Sequence, residues 1–167
     1  MDTIVRFSAD GLMVVAGLLA VYWLLAKTPV AARYDRYTRV FMAGLTSYIS
    51  AKFIGSIWQP AVERPFETLG VEPGASYLDN PGFPSDHMLF AVFLALAVWY
   101  ATRNKKFALI LFALAVGVGT ARVAALVHTP LDIIGGVAFA TLGAVWYVGI
   151  NARKNKKTRQ KVKKVLQ

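Results

Sequence analysis

Apolar residues along this chain are gathered into five long runs, at residues 11–26, 40–58, 88–100, 107–121 and 133–150, with charges almost confined to the gaps. Lys52 is the one charged residue within the second run. Runs of this length predict helices, and about 20 mainly apolar residues cross some 30 Å of hydrocarbon. Several runs are shorter, so a span must borrow flanking residues or tilt. Small residues recur within them, as at Gly44, Ser47, Ser50 and Gly55, and at Gly135, Gly136, Ala140 and Gly143. Such residues let helices approach closely in lipid. A soluble bundle of 167 residues could not withdraw five such helices from water. The fold expected is all-α, a polytopic membrane bundle of about five transmembrane helices. Residues 1–151 form one transmembrane domain and residues 152–167 a basic tail.

Composition narrows the picture further. With 56% apolar residues and a mean hydropathy of +0.48, the chain is not a disordered one. It has no cysteine, which excludes disulfides, thiolate metal sites and a cysteine nucleophile. Asp2, Arg6 and Asp10 precede the first run and no small-residue cleavage site follows it, so that run is expected to be a span and not a cleaved leader.

A net charge of +10 matters through its placement. Lys27, Arg33, Arg36 and Arg39 lie between the first two runs, Arg103, Lys105 and Lys106 between the third and fourth, and eight more basic residues in the tail. Together they are fifteen of the 19 basic residues, with Asp35 the sole acid beside them. The positive-inside rule makes that side cytoplasmic. The N-terminus, residues 59–84 and the turn near residues 127–130 then lie outside, with the other eight acids. The tail reads as a topology determinant that touches anionic lipid headgroups. No aromatic residue is interleaved with its charges, so nucleic acid is not expected as a partner. Trp23, Trp58, Trp99 and Trp146 fall near run ends, as an interfacial belt would.

Three outer segments hold the reactive side chains: Glu63-Arg64-Pro65-Phe66, then Phe83-Pro84-Ser85-Asp86-His87, then Arg122 followed by His128 and Asp132. In the third, Thr129 suits an N-cap and Pro130 the first helical position. Asp132 then falls in the first turn, within reach of the His128 ring. A carboxylate on one ring nitrogen fixes the tautomer and leaves the other free to attack or to exchange protons. In the second segment, Ser85 or Asp86 caps the third span and His87 enters its first turn. Two helix N-termini with Arg64 and Arg122 nearby make an anion site, and the fork of arginine suits phosphate. The 26-residue connection before it is longer than joining two helices requires. Glu63, Glu67, Glu72 and Asp79 read as a solvated loop surface. A zinc site from His87, His128, Asp86 and Asp132 is opposed by the neighbouring arginines.

These segments resemble the type 2 phosphatidic acid phosphatase superfamily, whose signature is a Lys at fixed distance from Arg-Pro, then Pro-Ser-Gly-His, then Ser-Arg-x5-His-x3-Asp. The counterparts are Arg64-Pro65, Pro84-Ser85-Asp86-His87, and Ala121-Arg122 with His128 and Asp132. The resemblance covers about residues 52–136. Within the superfamily the chain looks most like bacterial undecaprenyl-diphosphate phosphatases, which share Arg-Pro-Phe and Phe-Pro-Ser-Asp-His.

The resemblance implies an integral membrane lipid phosphatase, hydrolysing undecaprenyl or another polyprenyl diphosphate to the monophosphate in the carrier recycling that serves peptidoglycan synthesis. It implies a bacterial plasma membrane, an active site on the extracytoplasmic face, a cytoplasmic C-terminus, and neither metal nor other cofactor. His128 would form a phosphohistidine, Asp132 orient it and His87 protonate the leaving oxygen. Arg64, Arg122 and Ser85 would hold the phosphoryl group. Alternatives are a phosphatase of phosphatidylglycerophosphate or phosphatidate, or a non-catalytic protein that binds lipid phosphates. The chain departs from the signature at three points. Ala121 replaces Ser, Asp86 replaces Gly, and Ile57 stands where the Lys would fall. Lys52, about 9 Å below Trp58 at 1.5 Å per residue, is then either a phosphate ligand or a hydrogen-bonding residue inside the bundle. Asp86 so near a phosphate would pair with a basic group.

Overall fold

A computed structural model describes residues 3–148; the basic tail and its predicted lipid contacts lie outside the described residues. Helix α1 runs over Thr3–Lys27 and includes a wide π segment at Phe7–Gly11. A 3-10 turn at Val30–Ala32 leads into α2, Arg33–Ile57. The short α3 is Pro65–Leu69, followed by α4 at Asp86–Thr102, α5 at Lys105–Ala124 and α6 at Pro130–Gly143. All described regular structure is helical, the polytopic bundle the pattern predicts. Among the described residues, four stretches are long and apolar enough to cross a membrane: Thr3–Lys27, Val30–Ile57, Lys105–Ala124 and Pro130–Val148. The fifth apolar helix, α4, has 17 residues, about 25 Å at the α-helical rise. It packs against α1, α2, α5 and α6. With most of its surface against protein, although Phe90 and Trp99 are exposed, the central helix has little need to match the hydrocarbon thickness.

Size is sorted inside out. Ala16, Ala20, Ala43, Ala51, Ala95, Ala101, Ala115 and Ala140 are buried, whereas Leu18, Phe41, Phe53, Leu109, Val116 and Ile134 are exposed. Lipid is as apolar as leucine, so burial of bulk gains little and close backbone approach decides packing. A Cβ on Gly136 would stand 2.7 Å from the Ser85 carbonyl oxygen, and one on Gly143 would collide with Ala43 and Ser47. The predicted small stripe of α6 therefore seats that helix on both α2 and α4.

The basic end has a second role that charge counting did not reveal. Arg33 Nη2 donates to the Leu25 carbonyl (2.8 Å), Arg36 Nη1 to that of Ala101, and Arg39 Nη1 to that of Trp146 (3.0 Å). The opening turns of α2 thus satisfy last-turn carbonyls of α1 and α4, groups left without intrahelical partners, and tie α2 to the helical stretch that continues α6. One predicted belt residue is misassigned. Trp23 is buried and stacks on Phe107 with ring centroids 4.5 Å apart, because α5 crosses that end of α1. Trp58, Trp99 and Trp146 are partly exposed, as expected.

Candidate active site

The turn between α5 and α6 folds on local instructions. Thr129 caps α6, its Oγ1 accepting from the Asp132 amide (3.2 Å), while Asp132 Oδ2 accepts from the Thr129 amide (2.8 Å). This reciprocal box pins the Asp132 carboxylate before any ligand arrives. His128 Nδ1 lies 3.4 Å from the same Oδ2, and both side chains are buried. The contact is an ion-pair distance without hydrogen-bond alignment. Nδ1 faces the carboxylate, so Nε2 is the nitrogen left for chemistry. Burial pushes the His128 pKa below its usual 6.5; Arg122 and Arg64 act in the same direction, and Asp132 opposes them. The ring is therefore neutral at pH 7 and keeps its lone pair.

Arg122, near the end of α5, is 2% exposed. Its Nη1 donates to Asp10 Oδ1 at 2.9 Å and to the Ser76 carbonyl at 2.7 Å. Asp10 belongs to the π segment of α1, and its other oxygen accepts from the Ser76 amide (3.0 Å). Arg122 Nε is buried without a partner among the described residues. Sequence reasoning placed Asp10 with the outer acids and missed this role; an acid one position before a long apolar run was the only signal available.

Arg64 is buried as well, at the N-terminus of α3. Its Nη1 donates to the Val127 carbonyl (2.5 Å), and Nη2 reaches the carbonyls of Leu78 (3.1 Å) and Asn80 (3.0 Å) and Asn80 Oδ1 (3.1 Å). The Tyr77 ring covers it with the guanidinium carbon 5.3 Å from the centroid. Burial pulls its pKa down, opposed by Asp132 and Glu67. Glu67 accepts from the Arg64 amide at 2.6 Å, so it caps a helix and is not merely loop surface. Main-chain bonds from Phe66 to Leu126 (3.1 Å) and from Gly74 to Ala125 (3.0 Å) dock the long loop on the α5–α6 turn. Leu126 holds a left-handed φ of 60° there, a conformation a branched side chain rarely takes unless its surroundings impose it.

The third component is the start of α4. Ser85 occupies the N-cap position, but its hydroxyl makes no capping bond, contrary to the expected side-chain cap. Its amide instead donates to the Asp132 carbonyl (3.0 Å), tying α4 to α6, while the fully buried Oγ has no partner among the described residues. The amides of Asp86, His87 and Met88, in the first turn, have no intrahelical acceptors. Gln59, unremarked in the sequence, holds the approach by accepting from the Phe83 amide (3.3 Å) and donating to the Phe83 carbonyl (3.0 Å). Lys52 Nζ meets Asp86 Oδ2 at 2.7 Å, which supplies the basic partner expected for Asp86.

A cavity of about 190 Å³ opens among these parts, lined by Lys52, Arg64, Asp86, His87, Arg122 and His128 and by residues 76–78 and 80–84. Two imidazoles, two guanidiniums and an ammonium from four separate segments converge there. Asp132 and Ser85 stand behind its wall, at His128 and at the foot of α4. The arrangement can receive an anion, present it to a neutral imidazole and supply a second imidazole for proton transfer.

The family model described as PAP2 superfamily matches residues 35–156. A curated relative, the bacitracin transport permease protein BcrC of Bacillus licheniformis, is 29% identical over 152 residues, covering 87% of this chain and 70% of that protein. No solved structure gives a significant match.

Proposed function

Because the chain belongs to the PAP2 superfamily, a superfamily of phosphatases, we propose that it is a membrane lipid phosphatase acting on undecaprenyl or a related polyprenyl diphosphate at the extracytoplasmic face, with its C-terminus in the cytoplasm. The observation that carries this reading is the His128–Asp132 contact of 3.4 Å, which leaves Nε2 free beside a cavity with two buried arginines. The terminal phosphate binds between Arg64, Arg122 and the open amides of α4, and the Ser85 hydroxyl, unpaired just behind the wall, turns toward it. His128 Nε2 attacks phosphorus in line with the bridging oxygen. The P–O bond breaks, His87, charged by a proton taken up as the anionic phosphate binds beside it, gives that proton to the bridging oxygen, and the lipid monophosphate departs. Water then attacks the phosphohistidine, His87 takes the water's proton, and orthophosphate leaves with His128 restored. Every charge that develops falls on groups already in place, so little reorganisation is needed.

The test is release of orthophosphate by purified protein in detergent, from a panel of polyprenyl diphosphates, phosphatidylglycerophosphate and phosphatidate. Release is expected to be fastest from the diphosphates, to persist with a chelator present, and to fall at least 1,000-fold in His128→Ala, since both chemical steps run through that ring (about 10²–10⁴-fold for a positioned acid–base group alone). Retained substrate binding with no turnover in the wild type would make the protein a binder. Collapse under chelation would refute the metal-independent route.

A further inference from the structure

We propose that Lys52, held by Asp86, is a second phosphate subsite that reads the phosphate retained on a diphosphate lipid. The inference rests on the phosphatase reading above and adds a specificity determinant to it. A lysine on a lipid-flanked helix ordinarily runs along its own helix toward the headgroups. Here the ammonium is turned into the cavity by the 2.7 Å bond to Asp86 and lies 5.5 Å from the centre of the Tyr48 ring. An ammonium has three N–H donors; with one committed to Asp86, two remain for a ligand.

Depth then orders the site. His128 and Arg122 are 5% and 2% exposed, whereas the Lys52 and Asp86 side chains are 40% and 29% exposed, at the rim. Beyond Lys52 comes Tyr48, which also borders an apolar groove of about 480 Å³ walled by Phe41, Leu45 and Phe93 between α2 and α4. From depth to surface the chemistry therefore runs buried phosphate-binding groups, ammonium, hydrocarbon-lined groove. A diphosphate lipid presents terminal phosphate, retained phosphate and hydrocarbon in that same order. A monophosphate lipid fills the deep position alone and brings its tail against the Lys52–Asp86 pair, whose charges hydrocarbon cannot solvate. Asp86 is the positioning residue, and it also lowers the charge at the rim so that one phosphate is not held there unproductively.

The experiment compares kcat/KM for a polyprenyl diphosphate and for the monophosphate with the same tail. The double variant Lys52→Met with Asp86→Asn removes the subsite without stranding either charge. It is expected to lose about 10- to 100-fold more on the diphosphate than on the monophosphate, mainly through KM, as loss of a charge-assisted hydrogen bond dictates. Lys52→Arg is expected to recover most of the diphosphate activity, and thermal stability in detergent shows that the variants are folded. If the wild type cleaves only the diphosphate, the same contrast is read from the monophosphate as a competitive inhibitor, whose Ki is expected to move less than the diphosphate KM. Equal losses on both lipids, or no loss on either, would overturn the subsite. A wild type that cleaves neither lipid would instead overturn the phosphatase reading on which it stands.

Discussion

Arg122 Nη1 and Asp10 Oδ1 stand 2.9 Å apart although 112 positions separate them in the chain. The pair joins the N-terminal helix to the end of α5, and it aims a 2%-exposed guanidinium that touches no other carboxylate among the described residues. A buried charge stripped of its partner costs about 3–5 kcal/mol. Asp10 is partly exposed, so water recovers a share of that. Asp10→Asn is expected to lower stability by roughly 1–3 kcal/mol and kcat/KM by at least tenfold. Thermal melts and orthophosphate release on the same sample check both. An unchanged kcat/KM would mean that Arg122 does not need Asp10 to face the substrate.

The pH profile follows from the depressed His128 pKa. Protonation removes the nucleophile, and burial moves that event below the ordinary 6.5. The acid limb of kcat/KM is therefore expected below pH 6.5. The unfolded chain binds this proton more readily than the folded one, so stability is full above pH 6.5 and is lost as pH falls toward the folded pKa. Asp132 raises the His128 pKa, and Asp132→Asn is expected to shift the limb further toward acid. Its amide oxygen can still accept from the Thr129 amide, so the helix cap survives while kcat drops by about 10²–10⁴-fold. A limb above pH 6.5 in the wild type would contradict a buried, neutral imidazole.

At the opposite end, Arg36 reaches the Ala101 carbonyl. Arg36→Ala leaves that carbonyl without its donor and is expected to cost about 1–3 kcal/mol. The loss appears in the melting temperature, with specific activity at 25 °C within about twofold of wild type because the cavity lies at the other end of the bundle. A large fall in activity without a fall in stability would count against a purely structural role.

The glycines separate packing from mere helix composition. Nothing lies within 4 Å of a Cβ built on Gly17, whereas one on Gly136 meets the Ser85 carbonyl at 2.7 Å. Gly17→Ala is expected to be neutral or to stabilise by up to about 1 kcal/mol. Gly136→Ala pushes the start of α4 away from α6 and is expected to cost 1–3 kcal/mol together with activity. Unfolding in detergent and turnover, measured side by side, check both variants.

Which of these features the chain discloses depends on sequence distance. The Thr129–Asp132 box and the placing of Asp132 against His128 were legible because helix geometry alone links positions three and four apart. The small stripe from Gly135 to Gly143 was legible because period and residue size state which face must approach another backbone. Asp10 was not, since its partner is set by how α1 crosses α5. Ser85 is legible only in part: the position caps α4, yet its hydroxyl is kept off the amides, and only the contact with Asp132 reveals which groups remain open. Trp23 near a run end looked like an interfacial residue until Phe107 arrived from the next hairpin. Lys52 stood open between ligand and structural residue, and its pairing with Asp86 could be stated only as a general expectation of a basic neighbour.

The contacts of Arg33, Arg36 and Arg39 bear on how such a chain can change over generations. On the proposed orientation, the residues that tell the insertion apparatus which way up the protein goes are also the clasps that tie α2 to three other helical stretches. A protein whose address labels are separate from its joints can trade a charge in one loop for a charge in another and keep its bearing. This one cannot make that exchange freely, because a lysine or arginine gained elsewhere restores the polarity of the loops and still leaves a bare carbonyl facing the headgroups.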